Sequence, residues 1–143
     1  MSDNGIKILL VDDEADFLET LAKRLALRKL TVHTATSGKE ALATLEREAV
    51  EVVVLDVKMP GMDGITTIKE IKHHHPLVEV IMLTGHADLE ASAEGMARGA
   101  FDYLLKPVAI DELVYKIQDA HQARSLRVAR MEALRTAARN RSG

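Results

Sequence analysis

The chain has 143 residues, a formal net charge of -3, 47% hydrophobic residues and no cysteine. That length suits one domain with a single sizeable core, and the missing cysteines exclude disulfide staples, thiolate zinc sites and a cysteine nucleophile. No apolar run approaches the roughly eighteen residues of a membrane span, and the polar start MSDNG lacks signal-peptide character, so a cytoplasmic protein is expected.

In chain order, an apolar run at 6–11 predicts a strand that ends on Asp12 and Asp13. Phe17, Leu18, Leu21 and Leu25 then recur at helical spacing. A second run at 31–34 precedes Ser37-Gly38-Lys39-Glu40, whose capping-box spacing opens a helix carrying Ala41, Leu42 and Leu45. The third run, 52–55, is β-branched and has no polar alternation, as in a strand buried on both faces; Asp56 ends it, before a Met59-Pro60-Gly61 turn. Ile65, Ile68 and Ile71 form a third helical stripe. A run at 80–83 ends on Thr84, a fourth helix is expected over about 89–97 before Gly99, a run at 103–105 meets Lys106-Pro107, and a fifth helix starts near Ile110. Strand and helix alternate five times, which predicts an α/β fold: a parallel sheet with right-handed crossovers and helices on both faces.

In such sheets ligands bind outside the carboxyl ends of the strands. There the first strand delivers Asp12 and Asp13, the third Asp56, the fourth Thr84 and the fifth Lys106, while the second supplies nothing comparable. Three ionised carboxylates converge only around a cation, because their repulsion otherwise raises a pKa or disrupts the fold. An all-oxygen set suits a hard divalent ion, and magnesium fits better than calcium because no calcium-type loop is present. Carboxylates are also nucleophiles that form aspartyl phosphates, with lysine and hydroxyl groups to bind the phosphoryl oxygens. The residues alone therefore read as phosphoryl capture by an aspartate.

Four segments, LLVDDE at 9–14, VLDVKMPGMDG at 54–64, MLTGHAD at 82–88 and GAFDYLLKPV at 99–108, resemble the signature segments of the receiver domain of two-component response regulators. The resemblance covers about residues 4–122 and implies a flavodoxin-like, doubly wound five-stranded sheet of order 2-1-3-4-5. It implies that Asp56 accepts phosphate from a sensor histidine kinase or phosphotransfer protein. Asp12, Asp13, Asp56 and the backbone carbonyl of Lys58 would hold magnesium, Lys106 would bind the phosphoryl group, and the Lys106-Pro107 bond would be cis. Thr84 would move toward the phosphoryl group while Tyr103 turns inward as the switch. Output, including homodimer formation, would use the fourth helix, fifth strand and fifth helix, or the tail. The expected protein is a signalling switch with self-catalysed phosphotransfer and autodephosphorylation, not an enzyme with an external substrate. Lys58 and His86 flank the site and are expected to tune the lifetime of the phosphoryl group.

Blander readings compete. Asp12 and Asp13 adjoin a helix start and suit capping. His73-His74-His75 point in different directions on a helix, so they read as a helix end before Pro76, not as a metal site. Ser37-Gly38-Lys39 lacks the upstream glycine of a phosphate loop, where His33 stands, and has Glu40 where a hydroxyl is required. A phosphatase of the haloacid dehalogenase type is disfavoured because Lys58 occupies the place of its second aspartate. A degenerate receiver is disfavoured because every expected site residue is present.

The charge is unevenly placed. Residues 121–143 hold six arginines against the single acid Glu132, so the first 120 residues carry -8. This basic extension, 123–143, stays helix-compatible and reads as a linker or dimer helix continuing the fifth helix. Its apolar stripe is short of a convincing coiled coil, and arginine without interleaved aromatics disfavours a specific nucleic-acid interface still more.

Overall fold

The computed structural model describes residues 5–58 and 63–142. The elements are β1 (Lys7–Val11), α1 (Ala15–Ala26), β2 (Thr31–Ala35), α2 (Gly38–Arg47), β3 (Val52–Asp56), α3 (Gly64–His74), β4 (Glu79–Thr84), a 3-10 turn (His86–Asp88), α4 (Leu89–Ala97), β5 (Asp102–Leu105) and α5 (Ile110–Ser142). All strand pairs are parallel and the order is β2-β1-β3-β4-β5, as expected. The Met59-Pro60-Gly61 turn lies outside the described residues.

Side-chain alternation along the strands divides the core in two. Leu9, Val11, Val53, Leu55, Val80 and Met82 pack with Leu45 of α2 and with Ile68 and Ile71 of α3. Their neighbours Ile8, Leu10, Val52, Val54, Ile81 and Leu83 pack with Leu18, Leu21 and Leu25 of α1 and with Leu113 and Ile117 of α5. Each fully buried aliphatic side chain contributes about 1.5–3 kcal/mol, so both faces of β3 reward the unbroken Val-Val-Val-Leu run.

Helix starts follow local chemistry. The Ser37 hydroxyl accepts the Glu40 amide at 3.0 Å, while Glu40 reaches back to the Thr36 amide at 2.6 Å; that bond and one from the Thr36 hydroxyl hold the Glu40 carboxyl below its usual range. Asp63 caps α3 by accepting the Thr66 amide at 2.7 Å. That helix ends at His74 with His75 as its cap, and the histidines reach different acids, His74 to Glu70 (3.4 Å) and His75 to Glu46 (3.0 Å). Gly99 adopts φ +111, a left-handed conformation that lets α4 turn directly into β5. Past Ala120, α5 continues as one helix to Ser142. No helix among the described residues is long and apolar enough to cross a membrane.

Candidate functional site

Parallel pairing puts the strand ends in register. The amide of Asp12, just beyond β1, donates to the Ala35 carbonyl at 3.1 Å, and the amide of Lys106, just beyond β5, donates to the Thr84 carbonyl at 2.8 Å. Asp56 is the last residue of β3 and Thr84 the last of β4. The sheet thus gathers the predicted groups at one edge, around a cleft of about 650 Å³ lined by Asp13, Glu14, Asp56, Lys58, Gly85, Asp88 and Lys106.

Asp12 and Asp56 are buried, at 2% and 6% exposure, and Asp13 is exposed. One carboxylate oxygen from each lies within 4.8 Å of the others. Asp56 Oδ1 accepts the Lys58 amide at 3.1 Å and Oδ2 accepts Lys106 Nζ at 3.2 Å. Asp12 Oδ1 accepts the Glu14 amide at 2.9 Å. Its Oδ2 is buried without a hydrogen-bond partner, with Lys106 Nζ no nearer than 3.9 Å. Burial pushes the Asp12 carboxyl up to about 6 from 3.8; the Glu14 amide and Lys106 lower it, while repulsion from Asp56 and Asp13 adds to the rise. An all-oxygen set with an unsatisfied buried carboxylate oxygen fits a hard divalent cation such as magnesium.

The capping reading of the first aspartates yields to this one. The α1 N-cap is Glu14, which makes no side-chain capping bond.

Thr84 is fully buried, and its hydroxyl turns into the 3-10 turn, where it donates to the carbonyls of Gly85 (3.2 Å) and Asp88 (3.3 Å). Tyr103 pairs in register with Met82, shares its sheet face on the α3 and α4 side, and is 39% exposed. The Lys106-Pro107 bond is cis. Lys58 is exposed at the cleft; the side chain of His86 lies outside the described residues.

Two contributors escaped the sequence reading. Phe17 offers its ring to Lys106 Nζ, 5.3 Å from the centroid, a cation–π contact that steadies the ammonium beside the carboxylates. Asp88 lines the cleft and its carbonyl receives the Thr84 hydroxyl. Phe17 registers in sequence only as part of the α1 apolar stripe, and Asp88 only as the last residue of the MLTGHAD segment, with no role of its own read there.

Against known proteins, the model of the response regulator receiver domain matches residues 8–118. The chain belongs to the response regulator receiver family. It is 42% identical over 113 residues to the DNA-binding transcriptional regulator NtrC of Salmonella typhimurium, covering 79% of this chain and 24% of that protein. A response regulator receiver domain protein from Clostridium thermocellum superposes with a TM-score of 0.81 at 38% identity, over 85% of this chain and 98% of that one. NtrX from Brucella abortus in complex with ADP gives 0.85 at 31% identity, over 91% of this chain and 30% of that one. The chain thus spans about a quarter of the length of the curated relatives it matches. It is a receiver domain of the NtrC-like kind, a phosphoacceptor module of two-component signalling.

Proposed function

We propose that Asp56 is the phosphoacceptor, taking its phosphoryl group from a phosphohistidine on a sensor histidine kinase or phosphotransfer protein. The observation that carries this reading is the convergence of Asp12, Asp13 and Asp56 within 4.8 Å, with Lys106 Nζ 3.2 Å from Asp56. Asp12, Asp13 and Asp56, with the Lys58 carbonyl, would hold magnesium, which when bound supplies charge neutralisation for the phosphoryl oxygens. The rigid end of β3 holds the Asp56 carboxylate at the mouth of the cleft. A carboxylate oxygen forms the new O–P bond as the donor's N–P bond breaks, and the electron pair leaves with the imidazole, which takes a proton from solvent. Lys106 shifts from Asp56 to the incoming oxygens. The Thr84 hydroxyl leaves the carbonyls of Gly85 and Asp88 for the same oxygens, and Tyr103 turns inward behind it.

In this reading the chain catalyses its own phosphotransfer and later hydrolysis, and Lys58 and His86 tune how water reaches the acyl phosphate. Output uses the α4, β5 and α5 face, and residues 123–143 serve as a linker or dimer helix toward whatever the domain controls. The test is intact-mass analysis after incubation with acetyl phosphate. A magnesium-dependent phosphate adduct, absent from Asp56→Asn, is expected; an adduct that persists in Asp56→Asn would overturn the assignment.

A further inference from the structure

The pole of the sheet opposite Asp56 carries a second charged cluster. Glu51 immediately precedes β3 and Glu79 opens β4, so both acids sit at the far ends of the strands that present Asp56 and Thr84. The Glu79 side chain is only 6% exposed, and a carboxylate buried to that degree requires partners. Arg127 supplies them as a fork: Nη1 donates to Glu79 Oε2 at 2.7 Å and Nη2 to the Pro76 carbonyl at 2.9 Å. Lys72 is a poor substitute. Its ammonium lies 3.8 Å from Glu79 Oε1 and already donates to the carbonyls of Pro76 (3.0 Å) and Val78 (2.8 Å). Glu51 Oε1 accepts the Lys7 amide at 3.0 Å, while Oε2 faces His121 Nε2 at 3.1 Å and Arg124 Nη1 at 3.5 Å.

The helix spacing explains the encounter. Leu113, Ile117 and Ala120 are fully buried, and Arg124 and Arg127 continue the same three-and-four repeat beyond the apolar part of the sheet. The stripe facing the core therefore changes from aliphatic to guanidinium where the sheet edge changes from aliphatic to carboxylate. From Ala129 to Arg141 every residue is exposed.

We propose that the acidic rim of Glu51 and Glu79 is an interaction surface for residues 121–127 of α5, a latch that fixes the direction in which the basic extension leaves the domain. Arginine is the suitable residue because one guanidinium satisfies both the buried carboxylate and the Pro76 carbonyl. Among the described residues past Ala120, the only apolar side chains that are not exposed are Ala123 and Val128, both half-buried, so the helix there draws most of its packing from the latch, and tertiary packing is the main source of helix stability in a folded protein. Residues 121–127, including the start of the extension, therefore belong to the receiver body, and only the part beyond Arg127 acts as a spacer. This stands independently of the assignment of Asp56.

Hydrogen exchange read by mass spectrometry on the full chain tests it. In the wild type, amides of 121–127 are expected to be protected like those of 113–120, with 129–142 exchanging fast. The double variant Arg124→Met, Arg127→Met keeps helix propensity and an apolar stem. Its 121–127 amides are expected to exchange about tenfold faster or more, the scale of one lost charge-assisted hydrogen bond, while 52–56 stay unchanged. Two results would overturn the latch: wild-type 121–127 exchanging as fast as 129–142, or the double variant matching the wild type. Should the double variant not fold, Arg127→Met alone serves instead, since it removes both donors to Glu79 and Pro76 while leaving Arg124 beside Glu51; unchanged exchange at 124–127 would again refute the proposal.

Discussion

Buried Asp12 costs the fold stability while its carboxylate is ionised. Its carboxyl is 2% exposed, one oxygen has no hydrogen-bond partner, and its pKa stands at about 6 instead of 3.8. Two pKa units at 1.36 kcal/mol each make the ionised form a penalty of about 3 kcal/mol. A carboxyl whose folded pKa lies above its unfolded value penalises folding only while ionised. The penalty is therefore complete above about pH 6, fades between 6 and 3.8, and is gone below that window. Asp12→Asn keeps the Oδ1 acceptor for the Glu14 amide and removes the charge. In EDTA at pH 7.5 the variant should be more stable than wild type by about 2–3 kcal/mol, with Tm higher by about 5–10 °C. Urea unfolding followed by circular dichroism at pH 7.5 and pH 4.5 measures this, and the gain should shrink markedly at the lower pH. Magnesium at free concentration c should then stabilise the wild type by RT ln(1 + c/Kd), rising with the logarithm of c above Kd, and leave the variant unmoved. A variant no more stable at pH 7.5 in EDTA, or a gain that does not shrink with acid, would refute the reasoning.

Lys106→Met removes the 3.2 Å bond to Asp56 and the charge that offsets Asp12; it should slow phosphorylation by acetyl phosphate at least about tenfold and destabilise the fold by about 1–3 kcal/mol, read by mass spectrometry and urea unfolding. Thr84→Val replaces the hydroxyl that binds Gly85 and Asp88 with a methyl group; phosphorylation should persist, but the change in tyrosine fluorescence that accompanies it, expected from Tyr103, should be lost. Gly64→Ala should cost about 1–3 kcal/mol by thermal unfolding, because a Cβ there meets the Val57 backbone beside the site and backbone cannot yield as a flexible side chain does.

The fold was legible because each strand and helix carries its own periodicity. The Val52–Asp56 run signals burial on two faces, and the structure fills both faces with helices. β2 extends one residue past the apolar run to Ala35, whose small side chain is a weak signal but is buried in the core. The 3-10 turn at His86–Asp88 has no periodic signature at three residues, and no strand or helix pattern announces it. At the site, Asp56 was visible because it ends a strand and Asp12, Asp13 and Lys106 because they follow one directly or within two residues, and the parallel register brings strand ends together. Phe17 was masked by its apolar neighbours, since a residue that packs beside Leu18 reads as core until its distance to Lys106 is known. The Arg127 to Glu79 pair was invisible for another reason. Its partners stand 48 positions apart, and only the length of α5 relative to the sheet decides that they meet.

The most direct measurement of the central claim is chemical localisation of the phosphoryl group. Protein phosphorylated by acetyl phosphate is reduced with borohydride, which converts an aspartyl phosphate to homoserine, and the peptides are mapped by tandem mass spectrometry. The account predicts homoserine at position 56 and nowhere else. Homoserine at position 12 or 13, or an acid-stable phosphate on a hydroxyl such as that of Thr84, would contradict it.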